Sequence, residues 1–437
     1  MAADLRPALL LGGIVLAIVL IAEIWARYGG GTPEWTRKLV HAGGGLVCLL
    51  FPFLIRSVWT VLAMAAGLSA LFLWGARTGR LQSLHRVARP SRGAEYYPLT
   101  IAALFVLARG RPWLYVASVL VLAVADAAAA LIGSRYGRLR FLVEDEEKSV
   151  EGSAVFLMVA FLAIHLPVLL MTDLPRPNAV LAALLVAAVV TGFEIVSLRG
   201  TDNLFVPLAV CLILDRITTK PLGEIVFQNA SLFALAAVIA LLVRLGRVSS
   251  VGGAVGFVLF AYGAWSLGSV RWGAPVMLAF VLYWVAWIRW PRPERGPFRV
   301  RVLFRAVLIP LAILCLANGL GRYEELYGPY LAASVAVTAF SVWSHVEARA
   351  PSSGAGRALT ASAVGAASWA VMVLPVAFLS ADPASRARAL AVALPSLIVV
   401  PVGDLASRRL EAPLDDPVSV PRLGLTLLAA AWVWWVQ

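Results

Sequence analysis

The stretch from Asp126 to Ser153 holds the residue types that can bind a nucleotide phosphate at a membrane surface. Asp126 follows an apolar run and precedes four alanines, so we expect it inside or at the edge of a membrane helix, where acids are costly and usually functional. Gly133 and Gly137 then permit close packing or an irregular turn. The polar loop that follows ends in the candidate phosphate-binding residues Lys148, Ser149, Glu151, Gly152 and Ser153.

These residue types suit a triphosphate and its magnesium ion. An apolar run begins at Ala154, which makes Ser153 the predicted N-cap of the next helix, and free amides at a helix N-terminus beside Lys148 suit a phosphate. Mg²⁺ prefers carboxylates together with phosphate oxygens, so Glu151 or Asp126 is a candidate ligand. Taken alone, the GxxxG spacing is more typical of a helix-packing face, and the loop is also typical of a solvated connector.

A second group of chemically capable residues lies in the segment RKLVHAGGG. Arg37, Lys38 and His41 lie within about one helical turn of each other at the head of a predicted span. Arg37 and Lys38 alone are also typical of a positively charged membrane anchor. The three glycines that follow His41 weaken a membrane helix unless something packs closely against them, and an anchor does not need them.

A third group ends the predicted seventh span, in the segment TGFEIVSLRGTDNLFVP. Glu194 lies within an apolar run and therefore needs a cation or a hydrogen-bond partner. Asp202 and Asn203 open the next span, where Asp202 is also suited to capping the helix. A polar turn explains Asp202 but leaves Glu194 unexplained.

The order of acid, GxxxG, basic loop, KSxEGS and apolar helix resembles the nucleotide-binding region of the dolichol, phytol and polyprenol kinase family. Members of this family are membrane enzymes that phosphorylate a long-chain isoprenoid alcohol, typically with CTP. The resemblance extends to RKxxHxxxG and to an acid followed by DNxxVP, and it covers roughly residues 35 to 210. The positions that match in these two segments are Arg37, Lys38, His41 and Gly45, then Glu194, Asp202, Asn203 and Pro207.

The resemblance implies a role for each matched residue. Arg37, Lys38, His41, Asp126 and Glu194 would be catalytic, with either Glu194 or His41 orienting or deprotonating the alcohol. Mg²⁺ would be held by Asp126 with Asp202 or Glu151, and Asn203 would border the site. The expected contacts to CTP, or to another nucleoside triphosphate, come from Gly133, Gly137, Lys148, Ser149, Glu151, Gly152 and Ser153. Phytol, geranylgeraniol, farnesol, a polyprenol and diacylglycerol all remain candidate acceptors.

Two other functions compete with a kinase. A CTP:phosphatidate cytidylyltransferase has a similar Asp, GxxxG and K-[ST]-x-E-G order, but that family continues into a DRxD-type acidic segment where this chain has GTDNLFVP. A transporter could line a substrate path with Asp126, Glu194 and Asp202. The two halves of the chain show no clear inverted repeat, however, and transport does not need the KSxEGS loop.

Composition predicts an all-α, polytopic integral membrane protein. Of 437 residues, 61% are hydrophobic and 14% charged, and the mean hydropathy is +0.86. Apolar runs long enough to cross a bilayer recur throughout, which predicts roughly 14 to 16 transmembrane helices. The net charge of +13 comes from residues scattered through the loops, so it predicts topology and not nucleic-acid binding. Most Lys and Arg residues fall in loops that then face the cytoplasm, which predicts a cell inner-membrane protein with a cytoplasmic active site.

Two domains are expected, a lipid-alcohol kinase domain over residues 1–228 and a C-terminal membrane domain over residues 229–437. A polar, amphipathic connector over residues 215–228 is the predicted boundary. The second half weakly resembles the phytyl-phosphate kinase type of membrane family. Ser341 and Val342 stand where that family has Asp and Thr, which predicts a degenerate module, with Asp404 as a remnant acid or part of a helix-terminal turn.

Overall fold

The protein is described by a computed structural model that covers residues 4–30, 32–79, 81, 93–246, 249–291, 299–350, 353–379, 383–409 and 419–436. The described residues form helices almost throughout. Twelve helical segments are long and apolar enough to cross a membrane, and two of them, Glu34–Leu54 and Pro112–Tyr136, each contain more than one of the elements named below. The helices Gly93–Leu107 and Val420–Val436 are shorter and apolar. The prediction of an all-α polytopic membrane protein is confirmed.

The chain divides into two compact units, Met1–Ala230 and Ser231–Gln437. The division falls inside a helix, Leu222–Gly246, and the only residues between this helix and the preceding one, which ends at Ile217, are 218–221. The stretch 215–228, predicted as a polar connector, is therefore helical on both sides of these four residues. Apolar residues continue on both sides of the short turn, and they extend the two helices into the expected linker.

The first unit contains ten helices, one π-helical turn and one hairpin among its described residues. The helices are α1 Leu5–Tyr28, α2 Pro33–Cys48, α3 Phe51–Leu54, α4 Val58–Thr78, α5 Gly93–Leu107, α6 Pro112–Leu120, α7 Asp126–Tyr136, α8 Val150–Met171, α9 Arg176–Val196 and α10 Asp202–Ile217. The π turn, Val121–Ala125, joins α6 to α7, and the antiparallel strands β1 Arg140–Val143 and β2 Glu146–Ser149 form the hairpin. Helix α11, Leu222–Gly246, begins in this unit and continues into the second.

The remaining described helices belong to the second unit. They are α12 Val251–Gly268, α13 Val270–Arg289, α14 Val300–Leu320, α15 Tyr323–Val346, α16 Gly354–Leu379, α17 Pro383–Ala391, α18 Ala393–Arg409 and α19 Val420–Val436. Helix α15 is the central helix, because 89% of its apolar window is buried. Its Tyr330 is fully buried and packs on Trp272, whose backbone carbonyl accepts a 2.8 Å hydrogen bond from the tyrosine hydroxyl.

Asp404 of the second unit is buried in an ion pair. Its two carboxylate oxygens each accept a 2.7 Å hydrogen bond from the Arg357 guanidinium, and one also accepts a 3.1 Å bond from the Trp343 indole. Paired hydrogen bonds of this kind fix the geometry of an arginine–carboxylate pair. This carboxylate therefore ties α15, α16 and α18 together.

Candidate active site

Asp126 lies where α2 meets the π turn, and it is held there by two residues of α2. The Lys38 ammonium is 2.6 Å from Asp126 Oδ2, and His41 Nε2 is 3.2 Å from the same oxygen. Lys38 is 4% exposed, so this is a buried cation that depends on its carboxylate partner. Lys38 and His41, which lie about one turn apart on α2, therefore both contact Asp126.

The orientation of His41 follows from a backbone carbonyl of the π turn. Leu122 O is 2.7 Å from His41 Nε2 and can only accept a hydrogen bond, so Nε2 must carry a proton. In its neutral form the ring then accepts a proton at Nδ1. Tyr97 packs edge-on against the His41 ring and donates its hydroxyl to the His41 carbonyl at 3.0 Å. The histidine is thus fixed from both sides.

A second ion pair joins the hairpin to α9. Lys148, on β2, is 2.9 Å from Glu194 Oε1, and it also donates to the backbone carbonyl of Glu194 in a close contact. Glu194 Oε2 is buried and has no hydrogen-bond partner among the described residues. The sequence argument that Glu194 needs a cation is therefore answered by Lys148, which lies 46 positions earlier in the chain.

Asp202 is the first residue of α10, a helix that is not among the twelve segments long and apolar enough to cross a membrane. Its Oδ1 is buried without a hydrogen-bond partner among the described residues. Burial, together with the Asp126 carboxylate nearby, raises the pKa of Asp202 to about 6. A buried carboxylate oxygen without a partner costs free energy, and a cation would remove that cost. Arg37 donates to Glu34 at 2.8 Å, while its Nε is likewise buried without a described partner.

These groups surround one polar cavity of about 460 Å³ in the first unit. Six carboxylates and four cations line it within the described part of the chain. The carboxylates are Glu34, Asp126, Glu146, Glu147, Glu194 and Asp202, and the cations are Arg37, Arg140, Lys148 and Arg199. Gly133, Ser149, Gly152 and Ser153 also line the cavity. The structure therefore brings together most of the residues that the three motifs singled out.

Helix α8 begins earlier than the apolar run suggested. It starts at Val150, and the Ser149 hydroxyl accepts a 3.1 Å hydrogen bond from the Gly152 amide, so Ser149 is the N-cap. The prediction that Ser153 is the N-cap is wrong, because Glu151 and Gly152 are helical. The Val150 amide donates to Leu139 O at 2.9 Å, so two of the first amides of α8 already have acceptors within the protein. Phosphate charge must therefore be met largely by the side-chain cations of the cavity.

The GxxxG glycines are in close contact with the start of α8. A methyl group on Gly133 would lie 2.9 Å from Ser149 Oγ and 3.2 Å from Gly152 Cα. One on Gly152 would lie 3.2 Å from the carbonyl of Ala129. One on Gly137 would meet the Gly133 carbonyl and lie 2.7 Å from Ser149 Oγ. The glycines thus form a packing face, and by packing they also bring the Ser149 turn to the cavity wall.

Glu151 lies apart from the other candidate metal ligands. Its Oε1 accepts hydrogen bonds from the backbone amides of Arg138 at 3.0 Å and Leu139 at 3.1 Å, and Glu151 does not line the polar cavity. It therefore fixes the chain where the hairpin begins. Of the three candidates for holding Mg²⁺, Asp126 and Asp202 face the cavity.

An apolar cavity of about 300 Å³ lies against the polar one, also within the first unit. Helices α1, α2, α4 and α5 supply nearly all of its wall, and its polar side chains include Arg37, His41 and Asn203. Arg37 lines both cavities. Asp126 lines the polar cavity and His41 the apolar one, and the two side chains are 3.2 Å apart.

Sequence reasoning missed several components of this site. Arg140 and Arg199 were not singled out, although both line the polar cavity. Arg199 is placed by Glu146, whose carboxylate accepts from the Arg199 amide at 2.7 Å, so the hairpin is tied to the turn before α10. Glu146 and Arg199 belong to two charged loops, VEDEEKS and SLRGTDN, and charge in both loops was the available signal. Their proximity depends on packing between α8 and α9.

The residues present fit a magnesium ion with a nucleotide. Within the described ranges no group of three or more His, Cys, Asp or Glu residues is spaced to hold a metal ion by itself. Mg²⁺, however, usually takes one or two protein carboxylates and completes its shell with phosphate oxygens and water. Asp126 and Asp202 face the same cavity, and the unpartnered oxygen of Asp202 is available for such a role.

The fold and site define a polytopic helical membrane protein in which a charged cavity of about 460 Å³ adjoins an apolar one of about 300 Å³. Over 199 residues the chain is 34% identical to a phytol kinase from Synechocystis sp., a match that covers 45% of this chain and 85% of that kinase. The chain therefore belongs to the same isoprenoid kinase family, whose members act on an alcohol. No family model matches the chain, and no solved structure matches it.

Proposed function

We propose that this protein transfers the terminal phosphate of CTP, or of another nucleoside triphosphate, to a long-chain isoprenoid alcohol such as phytol, geranylgeraniol or a polyprenol. The observation that carries the proposal is the contact between the two cavities. Asp126 faces a cavity with the charges that a triphosphate needs, His41 faces a cavity suited to a hydrocarbon, and the two side chains touch.

Phosphoryl transfer depends mainly on position and on charge neutralisation. Lys148, Arg37, Arg140 and Arg199 all line the polar cavity, and we propose that they contact the phosphate oxygens. Six carboxylates in the same cavity would repel a triphosphate unless divalent cations accompanied it. Asp126 and Asp202 would hold Mg²⁺, which when bound would screen the phosphate charge and orient the terminal phosphate.

The acceptor hydroxyl would lie at His41, since this residue faces the apolar cavity. We propose His41, and not Glu194, as the group that orients the alcohol. Glu194 lines the polar cavity and is paired with Lys148, whereas it is absent from the apolar wall. With Nε2 donating to Leu122 O, Nδ1 of His41 would take the hydroxyl proton.

The site is proposed to face the cytoplasm of a cell with the protein in its inner membrane, where nucleotide is available. This placement is supported by the concentration of Lys and Arg in loops on one side of the predicted topology.

The test uses the purified full-length chain with CTP labelled at either the γ or the α phosphate, offered with phytol, geranylgeraniol, farnesol, a polyprenol and diacylglycerol. A kinase transfers only the γ label to the lipid. Transfer of the α label would instead identify a cytidylyltransferase, and transfer of neither would refute the proposal. Parallel reactions with ATP, GTP and UTP identify the donor.

A further inference from the structure

The three glycines that follow His41 have different environments. A methyl group on Gly43 would lie 3.3 Å from Ile18 Cγ2, and one on Gly45 would meet the Tyr97 hydroxyl and the Ala123 methyl. Gly44 is buried, yet a methyl group placed there would have no atom within 4 Å. Gly43 and Gly45 therefore let helices approach, while Gly44 opens onto the apolar cavity that it lines.

The apolar cavity is elongated along α2. Arg37, Val40, His41, Gly44 and Cys48 all line it, and their spacing places them on one face of the helix. Arg37 and Cys48 are eleven positions apart, which corresponds to about 16.5 Å along the helix axis. The charged residue Arg37 lies at the end beside the polar cavity, so the cavity has a polar mouth and an apolar interior.

The far end of the cavity can be located from the pairing of α1 and α2. These helices are joined by a short connection, run antiparallel, and are in register where Ile18 touches Gly43. From the Ile18–Gly43 contact, Gly12 lies six residues along α1 in one direction of the helix axis. His41 lies two residues along α2 in the opposite direction. At the helical rise, Gly12 and His41 are therefore separated by roughly 12 Å along the axis.

Gly12 lines the cavity at this end, and a methyl group there would meet only Met64 Cε, at 3.8 Å. We propose that the hydrocarbon chain of the acceptor alcohol occupies this cavity, with its hydroxyl at His41, and that Gly12 determines how long a chain is accepted. The inference rests on the proposed kinase function and adds the position of the chain and a residue that selects its length.

The neighbouring glycine provides a matched control. Gly13 lies on the same helix, is exposed, does not line the cavity, and has no atom within 4 Å of an added methyl group. Gly12→Leu and Gly13→Leu change helix propensity equally, because both replace glycine by leucine in the interior of α1. Only the first places a side chain inside the cavity.

The experiment compares kcat/KM for dimethylallyl alcohol, which has one isoprene unit, with that for geranylgeraniol, which has four. We expect Gly12→Leu to lower the ratio of geranylgeraniol to dimethylallyl alcohol by about 10-fold or more, the scale of a steric mismatch in an apolar pocket. Gly13→Leu should keep the ratio near that of the unmodified protein. A Gly12→Leu ratio equal to that of Gly13→Leu would overturn the inference. If Gly12→Leu does not purify as a folded protein, Gly12→Ala should shift the ratio in the same direction by a smaller amount.

A binding measurement separates failure of this inference from failure of the kinase proposal. Without nucleotide, geranylgeraniol should raise the Tm of the unmodified protein and of Gly13→Leu, and raise that of Gly12→Leu much less. This pattern supports the chain-binding site even if no phosphate is transferred to any alcohol. Active transfer to alcohols, with equal Tm shifts in all three proteins, would support the kinase and refute the role of Gly12.

Discussion

Replacing Lys38 by methionine tests whether the contact at the centre of the site stabilises the fold. The Lys38 ammonium is 2.6 Å from Asp126 Oδ2, with 4% of the lysine side chain and 20% of the aspartate side chain exposed. Removing one partner of a buried pair typically costs 3–5 kcal/mol because the other charge is left uncompensated. Asp126 keeps some exposure to the polar cavity, so we expect the lower end of this range, about 3 kcal/mol.

The assay is the free energy of unfolding from titration with SDS in mixed micelles. Lys220→Met is the matched control, because Lys220 is 2.9 Å from Glu224 but 45% exposed. An exposed pair four residues apart on or beside a helix contributes about 0.3–0.5 kcal/mol, so the control should change stability little.

The single variant Asp126→Leu and the double variant Lys38→Met with Asp126→Leu complete the double-mutant cycle. Removing both charges leaves neither uncompensated, so much of the lost stability should return, with a coupling energy of about 2 kcal/mol or more. Phosphoryl transfer should be absent in the double variant, because Asp126 is a proposed Mg²⁺ ligand. A coupling energy below about 1 kcal/mol would refute the claim that these two charges act as one buried unit.

Three further predictions concern Lys148, the glycines Gly44 and Gly45, and Mg²⁺. Lys148→Met should lower the initial rate of transfer from γ-labelled CTP by about 10²–10³-fold, which is the scale of losing one preorganised charge contact. Lys220→Met should not lower this rate, and a loss of less than about 10-fold in Lys148→Met would exclude Lys148 from phosphoryl transfer. Gly45→Ala should lower the free energy of unfolding by about 1–3 kcal/mol, because its methyl group overlaps the Tyr97 hydroxyl. Gly44→Ala should leave the free energy of unfolding unchanged or raise it slightly. Equal effects of the two variants in the same SDS titration would contradict the packing argument. EDTA should abolish phosphoryl transfer and added Mg²⁺ should restore it, because carboxylates outnumber cations in the polar cavity; full activity in EDTA would refute the metal proposal.

Chain order and residue type were enough to predict the fold class and to single out candidate residues for chemistry. Long apolar runs dictate membrane helices, because backbone polar groups in a bilayer must be satisfied internally. An acid within such a run requires a partner for a similar reason, which is why Asp126 and Glu194 could be singled out. The sequence does not give the identity of the partners, because Lys38 is 88 positions from Asp126 and Lys148 is 46 positions from Glu194.

Only the tertiary structure separated residues that look equivalent in the sequence. Glu151 and Asp202 were both candidate metal ligands, but Glu151 accepts backbone amides while Asp202 faces the polar cavity. The start of α8 depends on a single hydroxyl contact from Ser149, which no hydropathy pattern reports. The apolar cavity depends on four helices that leave space between them, and the space itself carries no sequence signal. The sequence thus determined which residues can do chemistry and that they lie in a membrane protein, whereas the packing of distant helices decided which of them meet, because residue type is local and contact is not.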